Sequence, residues 1–261
     1  MTSHDLKWQP PTRLVMIVGN YGSGKTEVSV NLALGLAAAG KKVVIADLDI
    51  VNPYFRSREA GELMSRNGID VVIPPGEQQF ADLPIVVPRV KAMLEPGEDD
   101  YSIFDVGGDD VGAKMLSSFN EALGDNPYSL LQVINSKRPF TDSVDGCVKM
   151  GEMIEESSRL EVSGYIVNSH LIEQTTAEVV LEGYRLAKKV SDRTGKPIEF
   201  VTAMGEIAAD DVLKEIEVPV MRLERNMLPP WLQTKEKEDT RGDDQISEPV
   251  PAARVKPIFR P

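Results

Sequence analysis

The chain has 261 residues, 41% of them hydrophobic, and its 41 acidic against 29 basic side chains leave a formal charge of −12. That length suits one α/β domain and that apolar content a full core, while the acidic excess without a Lys/Arg-rich run argues against nucleic acid as the main partner. A single cysteine, Cys147, excludes an intramolecular disulfide framework or a Cys-x-x-Cys metal site, and no apolar stretch approaches the ~20 residues of a membrane span.

The start, MTSHDLKWQPPTR, is polar and lacks the apolar region of a signal peptide. Residues 1–12 are therefore expected to form a flexible N-terminus, and the protein is expected to be cytoplasmic. RLVMIV (13–18) reads as a buried strand and TEVSVNLALGLAAAG (26–40) as a helix with a glycine at its end. Between them lies GNYGSGKT, the G-x-x-x-x-G-K-[ST] pattern, with Gly19, Gly24, Lys25 and Thr26 in the fixed positions. Such a loop wraps a polyphosphate in backbone N–H groups, and glycine alone lets the chain turn that tightly. The lysine supplies charge to the outer phosphates, and the threonine hydroxyl at the helix start meets a phosphate-bound Mg²⁺. The expected nucleotide contacts run through Gly19, Asn20, Tyr21, Gly22, Ser23, Gly24, Lys25, Thr26 and Glu27.

KKVVIADLDIVNPYF follows, a strand centred on 43–46 that ends in Asp47 and Asp49. Two carboxylates beside an anion site make sense as groups of a Mg²⁺ shell or as the group that orients an attacking water. NPYFRSRE then carries Arg56 and Arg58, and helix is expected over 57–67. After a strand at 69–74, YSIFDVGGDDVG sets Asp105 at the end of another strand and Gly108 three residues on. The carboxylate can hold Mg²⁺, and the glycine N–H can reach a terminal phosphate and register its loss. Further strands are expected at 129–135, 162–168, 198–203 and 218–223, and helices at 112–124, 143–159 and 176–194. Strands that are apolar throughout and alternate with helices predict a single P-loop domain over 13–232, with a mainly parallel sheet and helices on both faces. Its ligand belongs at the carboxyl ends of the strands, where Gly19, Asp47, Asp105 and Asn168 converge. Residues 233–261 are charged and Pro-rich, the composition of a disordered tail.

The order GxxxxGKT, helix, VVIADLD, IFDVGG, YIVNSH resembles the MinD/ParA/CobQ/CobB family of P-loop ATPases over about residues 13–223. The resemblance implies ATP at the carboxyl edge of a parallel sheet, a water-orienting aspartate in the D-x-D segment and dimerisation face to face across the nucleotides. Lys25 would then hold phosphates, Thr26, Asp105 and Asp49 would serve Mg²⁺, Asp49 or Asp47 the attacking water, and Asn168 the adenine. One departure is plain: MinD and ParA proteins carry an extra loop lysine that reaches the partner's site, and Asn20 and Tyr21 stand there instead. Arg56 and Arg58 are candidates to supply a cation across the interface. Guanine readers of this fold use N-K-x-D, whereas here Asn168, Ser169, His170 and Leu171 provide no carboxylate, which favours ATP/ADP. The expected function is a slowly hydrolysing Mg-ATPase that switches an unidentified protein partner, of the positioning or cofactor- and metalloenzyme-maturation type. An ATP-dependent ligase or kinase resembling dethiobiotin or cobyrinate amide-forming enzymes, and a nucleotide-binding module with negligible turnover, stand as alternatives. No membrane anchor is evident in the sequence.

Overall fold

In the computed structural model, which describes residues 8–49, 58–73, 83–108 and 110–226, the apolar runs become eight strands of one sheet. They are β1 (Leu14–Gly19), β2 (Lys42–Leu48), β3 (Asp70–Val72), β4 (Asp100–Val106), β5 (Ser129–Ile134), β6 (Gly164–Val167), β7 (Ile198–Met204) and β8 (Val220–Leu223). The order across the sheet is β3-β2-β4-β1-β5-β6-β7-β8, and every neighbouring pair is parallel. Parallel strands need helices over both faces, so side chains on both sides of a central strand are removed from water. All six residues of β1 are accordingly buried.

Two cores result. Val15, Ile17, Ile45 and Ile103 face α1 (Lys25–Ala38) and α2 (Arg58–Arg66), with the tilted rings of Trp8 and Phe200 in contact, their centroids 4.6 Å apart. On the other face Met16, Val18, Phe104 and Leu130 pack under α3 (Leu83–Met93), α4 (Asp110–Ser117), α6 (Val144–Ser158) and α7 (Ala177–Thr194). Trp8 also donates its indole N–H to Glu199 at 3.0 Å. The packed chain thus begins before residue 13, inside the segment expected to be flexible, because one aromatic side chain there finds an apolar partner.

Two helices depart from the sequence expectation. The stretch 112–124 splits into α4 and the short α5 (Asn120–Leu123), since the hydroxyls of Ser117 and Ser118 donate to the carbonyls of Lys114 and Met115 and compete with helix continuation. α3 was not anticipated, as Pro88 lies inside it and proline ordinarily breaks a helix. It is retained because Val90 and Met93 are buried in the core. The chain divides into two units, Met1–Asn226 and Met227–Pro261. Arg56 and the tail 233–261 lie outside the described residues.

Candidate functional site

Because all eight strands are parallel, their carboxyl ends share one edge, and the P-loop, the D-x-D segment, the D-x-x-G segment and the turn after β6 meet there. The P-loop leaves β1 at Gly19, whose φ of 141° and missing side chain are both required: a Cβ would lie 2.7 Å from the carbonyl of Val133. Gly24, at φ 86°, precedes α1 and leaves space for Asn168, whose Nδ2 would be 2.2 Å from a Cβ. Asn168 Nδ2 donates to the Ser23 carbonyl at 2.8 Å, and its Oδ1 accepts from Thr202 at 2.7 Å. Asn168 is therefore a buried brace between β6, β7 and the loop, so any contribution to the base passes through a side chain already engaged at both ends.

Lys25 is buried and its ammonium donates to the Asn20 carbonyl at 3.1 Å, folding the lysine back along the loop interior. Asn20 is held by its own amide, which donates to the carbonyl of Pro139 at 2.7 Å, while Tyr21 is 69% exposed. Glu27 faces the exit of β8: its Oε1 accepts from the N–H of Asn226 at 2.6 Å and from Asn31.

The acidic side is tight. β2 and β4 pair with Asp47 directly beside Asp105, and both carboxylates are buried. Asp47 Oδ1 accepts from the N–H of Asp49 at 3.0 Å, turning the chain at the edge. Asp105 Oδ1 accepts from Ser29 at 3.3 Å, whereas its Oδ2 is buried with no hydrogen-bond partner among the described residues. Burial, together with the charge of Asp47, raises Asp105 to about 7, against the opposing influence of the Thr26 hydroxyl and the Lys25 ammonium. An orphaned carboxylate oxygen beside a P-loop threonine fits a hard divalent cation, and Mg²⁺ at such sites takes few protein ligands and keeps its waters. Thr26, Asp105 and Asp49 are the residues that would hold it.

Gly107 and Gly108 close the site from the β4 side. A Cβ on Gly108 would sit 2.7 Å from Lys25 Nζ and 2.8 Å from the backbone N of Tyr21, so this turn lies directly on the P-loop. Sequence reasoning missed one element: the turn after β5. Arg138 Nε donates to the Gly22 carbonyl at 2.9 Å, and Pro139 receives Asn20. An arginine at the carboxyl end of a central strand was the available signal. Beside it, His170 is pushed down to about 4 by burial and by the charges of Arg138 and Arg225, so it is neutral at pH 7. Arg58 opens α2, and Arg56 is outside the described residues. No helix among the described residues is long and apolar enough to cross a membrane.

Comparison with known proteins adds family to geometry. The profile described as "CobQ/CobB/MinD/ParA nucleotide binding domain" matches residues 15–206. The signal recognition particle protein of Rickettsia typhi is 30% identical over 213 residues, covering 80% of this chain, and the chain spans 42% of that relative's length. Among solved structures, FtsY from Mycoplasma mycoides has a TM-score of 0.50 at 19% identity, covering 75% of this chain and 61% of its own. The signal recognition particle 54 kDa protein of Aeropyrum pernix K1, in complex with GDP, has a TM-score of 0.50 at 21% identity, covering 75% of this chain and 42% of its own. These likenesses show the fold.

Proposed function

This chain belongs to the CobQ/CobB/MinD/ParA nucleotide-binding domain family, and from that premise we propose that it is a slowly hydrolysing Mg-ATPase that switches a protein partner. The observation that carries the reading is the contact of Gly108 with Lys25 and Tyr21: the turn after β4 rests on the phosphate loop, so gain or loss of a terminal phosphate moves it. Mg²⁺ would supply charge neutralisation at the phosphates. Lys25, drawn away from the Asn20 carbonyl, would take up charge on the outer phosphate oxygens. Asp49 or Asp47 would orient the attacking water, and the Asp47 carboxylate also fixes the turn by accepting from the Asp49 N–H. Self-association across the nucleotides belongs to the same reading, with Arg56 or Arg58 in place of the missing loop lysine.

ATP is the favoured nucleotide because Leu171 stands where a guanine reader has a carboxylate. The GDP held by the Aeropyrum pernix relative makes a guanine nucleotide the second reading. Competition of ATP and GTP for a fluorescent nucleotide analogue in the presence of Mg²⁺ separates them. Tighter ATP binding supports the proposal, and equal or tighter GTP binding transfers the site to the second reading. Release of phosphate that is slow in the parent and slower in Asp49→Asn or Asp47→Asn, with binding kept, tests the water-orienting role.

A further inference from the structure

Next to the phosphate loops lies a second concavity of about 450 Å³, a size typical of small-molecule sites. One wall is a stripe of α6 formed by Gly146, Met150, Met153, Ile154 and Ser157, with Lys149 beside it. The spacing recurs every three to four residues from the first turn of the helix to the last, so the groove runs roughly 16 Å at 1.5 Å per residue. The opposite wall is the phosphate machinery itself, Gly19 and Asn20 leaving β1 and Gly107 and Gly108 leaving β4. Val18 and Val106 form the floor between them.

Two further features distinguish the groove from an incidental cleft. Phe140 and Met153, which line it, are 72% and 45% exposed, although large apolar side chains are mostly buried in this molecule. Phe140 is moreover held at φ 69°, a left-handed conformation that costs a non-glycine residue roughly 1 kcal/mol or more. Its carbonyl is seated against Gly146, where a Cβ would approach to 2.3 Å. The fold thus fixes an aromatic residue at the groove in a strained backbone. Among the described lining residues Lys149 is the only charged side chain, in a protein whose excess charge is acidic.

We propose that this groove is a second ligand site, for an apolar organic anion of small-molecule size, and that its occupancy is coupled to the nucleotide through the shared Gly19, Asn20, Gly107 and Gly108. The apolar body lies along Met150, Met153 and Ile154, and the anionic group meets Lys149. Because the four shared residues also surround the phosphates, ligand and nucleotide bias one arrangement of the loops, and the coupling is reciprocal. The site does not depend on which nucleotide is used, nor on hydrolysis.

The test uses the full chain without nucleotide, with decanoate measured calorimetrically and by displacement of 1-anilinonaphthalene-8-sulfonate. Saturable one-to-one binding is expected, with decanol weaker because it lacks the charge. Lys149→Glu should weaken decanoate about five- to tenfold and leave decanol nearly unchanged, and Met153→Glu should weaken both, each variant keeping the parental melting temperature. Non-hydrolysable ATP or GTP analogues with Mg²⁺ are then added: at least one should shift decanoate affinity about threefold or more, and decanoate should shift that analogue's affinity by the same factor. Absence of saturable binding, or binding indifferent to both substitutions, overturns the site. Decanoate binding that neither analogue alters overturns the coupling.

Discussion

Asp105 sits where charge is hardest to accommodate without a cation: fully buried, beside Asp47 in register, with one oxygen unpaired among the described residues. Its ordinary value of 3.8 is raised to about 7 in the folded chain. A carboxyl so raised favours folding while protonated, and that contribution is lost as pH rises from near 4 through 7. Between pH 5 and pH 8 the parent should lose about 2 to 3 kcal/mol relative to Asp105→Asn, read by urea unfolding without nucleotide. A parallel pH response in the two proteins refutes the assignment. Asn168 supports the site differently, through two buried hydrogen bonds. Asn168→Ala leaves the buried Ser23 carbonyl without its Asn168 donor, while the Thr202 hydroxyl keeps its bond to the Val167 carbonyl, so about 1 to 3 kcal/mol of stability should go, with nucleotide affinity falling as the loop loosens. Chemical denaturation and calorimetry measure the two losses. The P-loop residues were legible in the sequence because their chemistry is contained in eight consecutive letters. The brace was not: Asn168 and Ser23 are 145 residues apart, Arg138 and Gly22 116. A pairing over such distance leaves no local pattern.

At the level of elements, the turn after β4 is the part whose geometry is most restrictive. Gly108→Ala would place a methyl group 2.7 Å from Lys25 Nζ and 2.8 Å from the Tyr21 nitrogen, so the turn must lift from the P-loop. Turnover should fall about tenfold or more, since a displacement near 1 Å at such a site costs on that order. The melting temperature should move only a few degrees, as the strand itself is untouched. Parental turnover in the folded variant means that the turn does not serve the phosphate. Strands were the most readable elements, since burial on both faces makes each a continuous apolar run, as in Leu14–Gly19. Helices were readable where polar positions marked an exposed face, as in α7. α3 escaped because Pro88 argues locally against helix, and only packing of Val90 and Met93 on the finished sheet outweighs it. The break between α4 and α5 rests on hydroxyl-to-carbonyl bonds that composition does not announce.

For the whole molecule, the described residues that build both cores all lie within the first unit, Met1–Asn226. Removal of residues 233–261 should therefore leave nucleotide affinity and melting temperature nearly unchanged, since a segment so charged and Pro-rich has little to bury. A drop of more than about 5 °C in a thermal scan would show that the segment contributes to the packed unit. The sheet order has one more consequence, and it concerns time. β1 lies in mid-sheet, flanked by β4 and β5, so Leu14 pairs with Ser102 and Val15 with Ser129. On a ribosome, the strand that carries the P-loop is made well before either of the strands it pairs with, β4 first and β5 later. Non-local parallel pairing is slow to form for the same reason. The nucleotide loop is thus written before the strands that frame it, and in the interval β1 is an apolar strand in need of shielding that has no site to bind with.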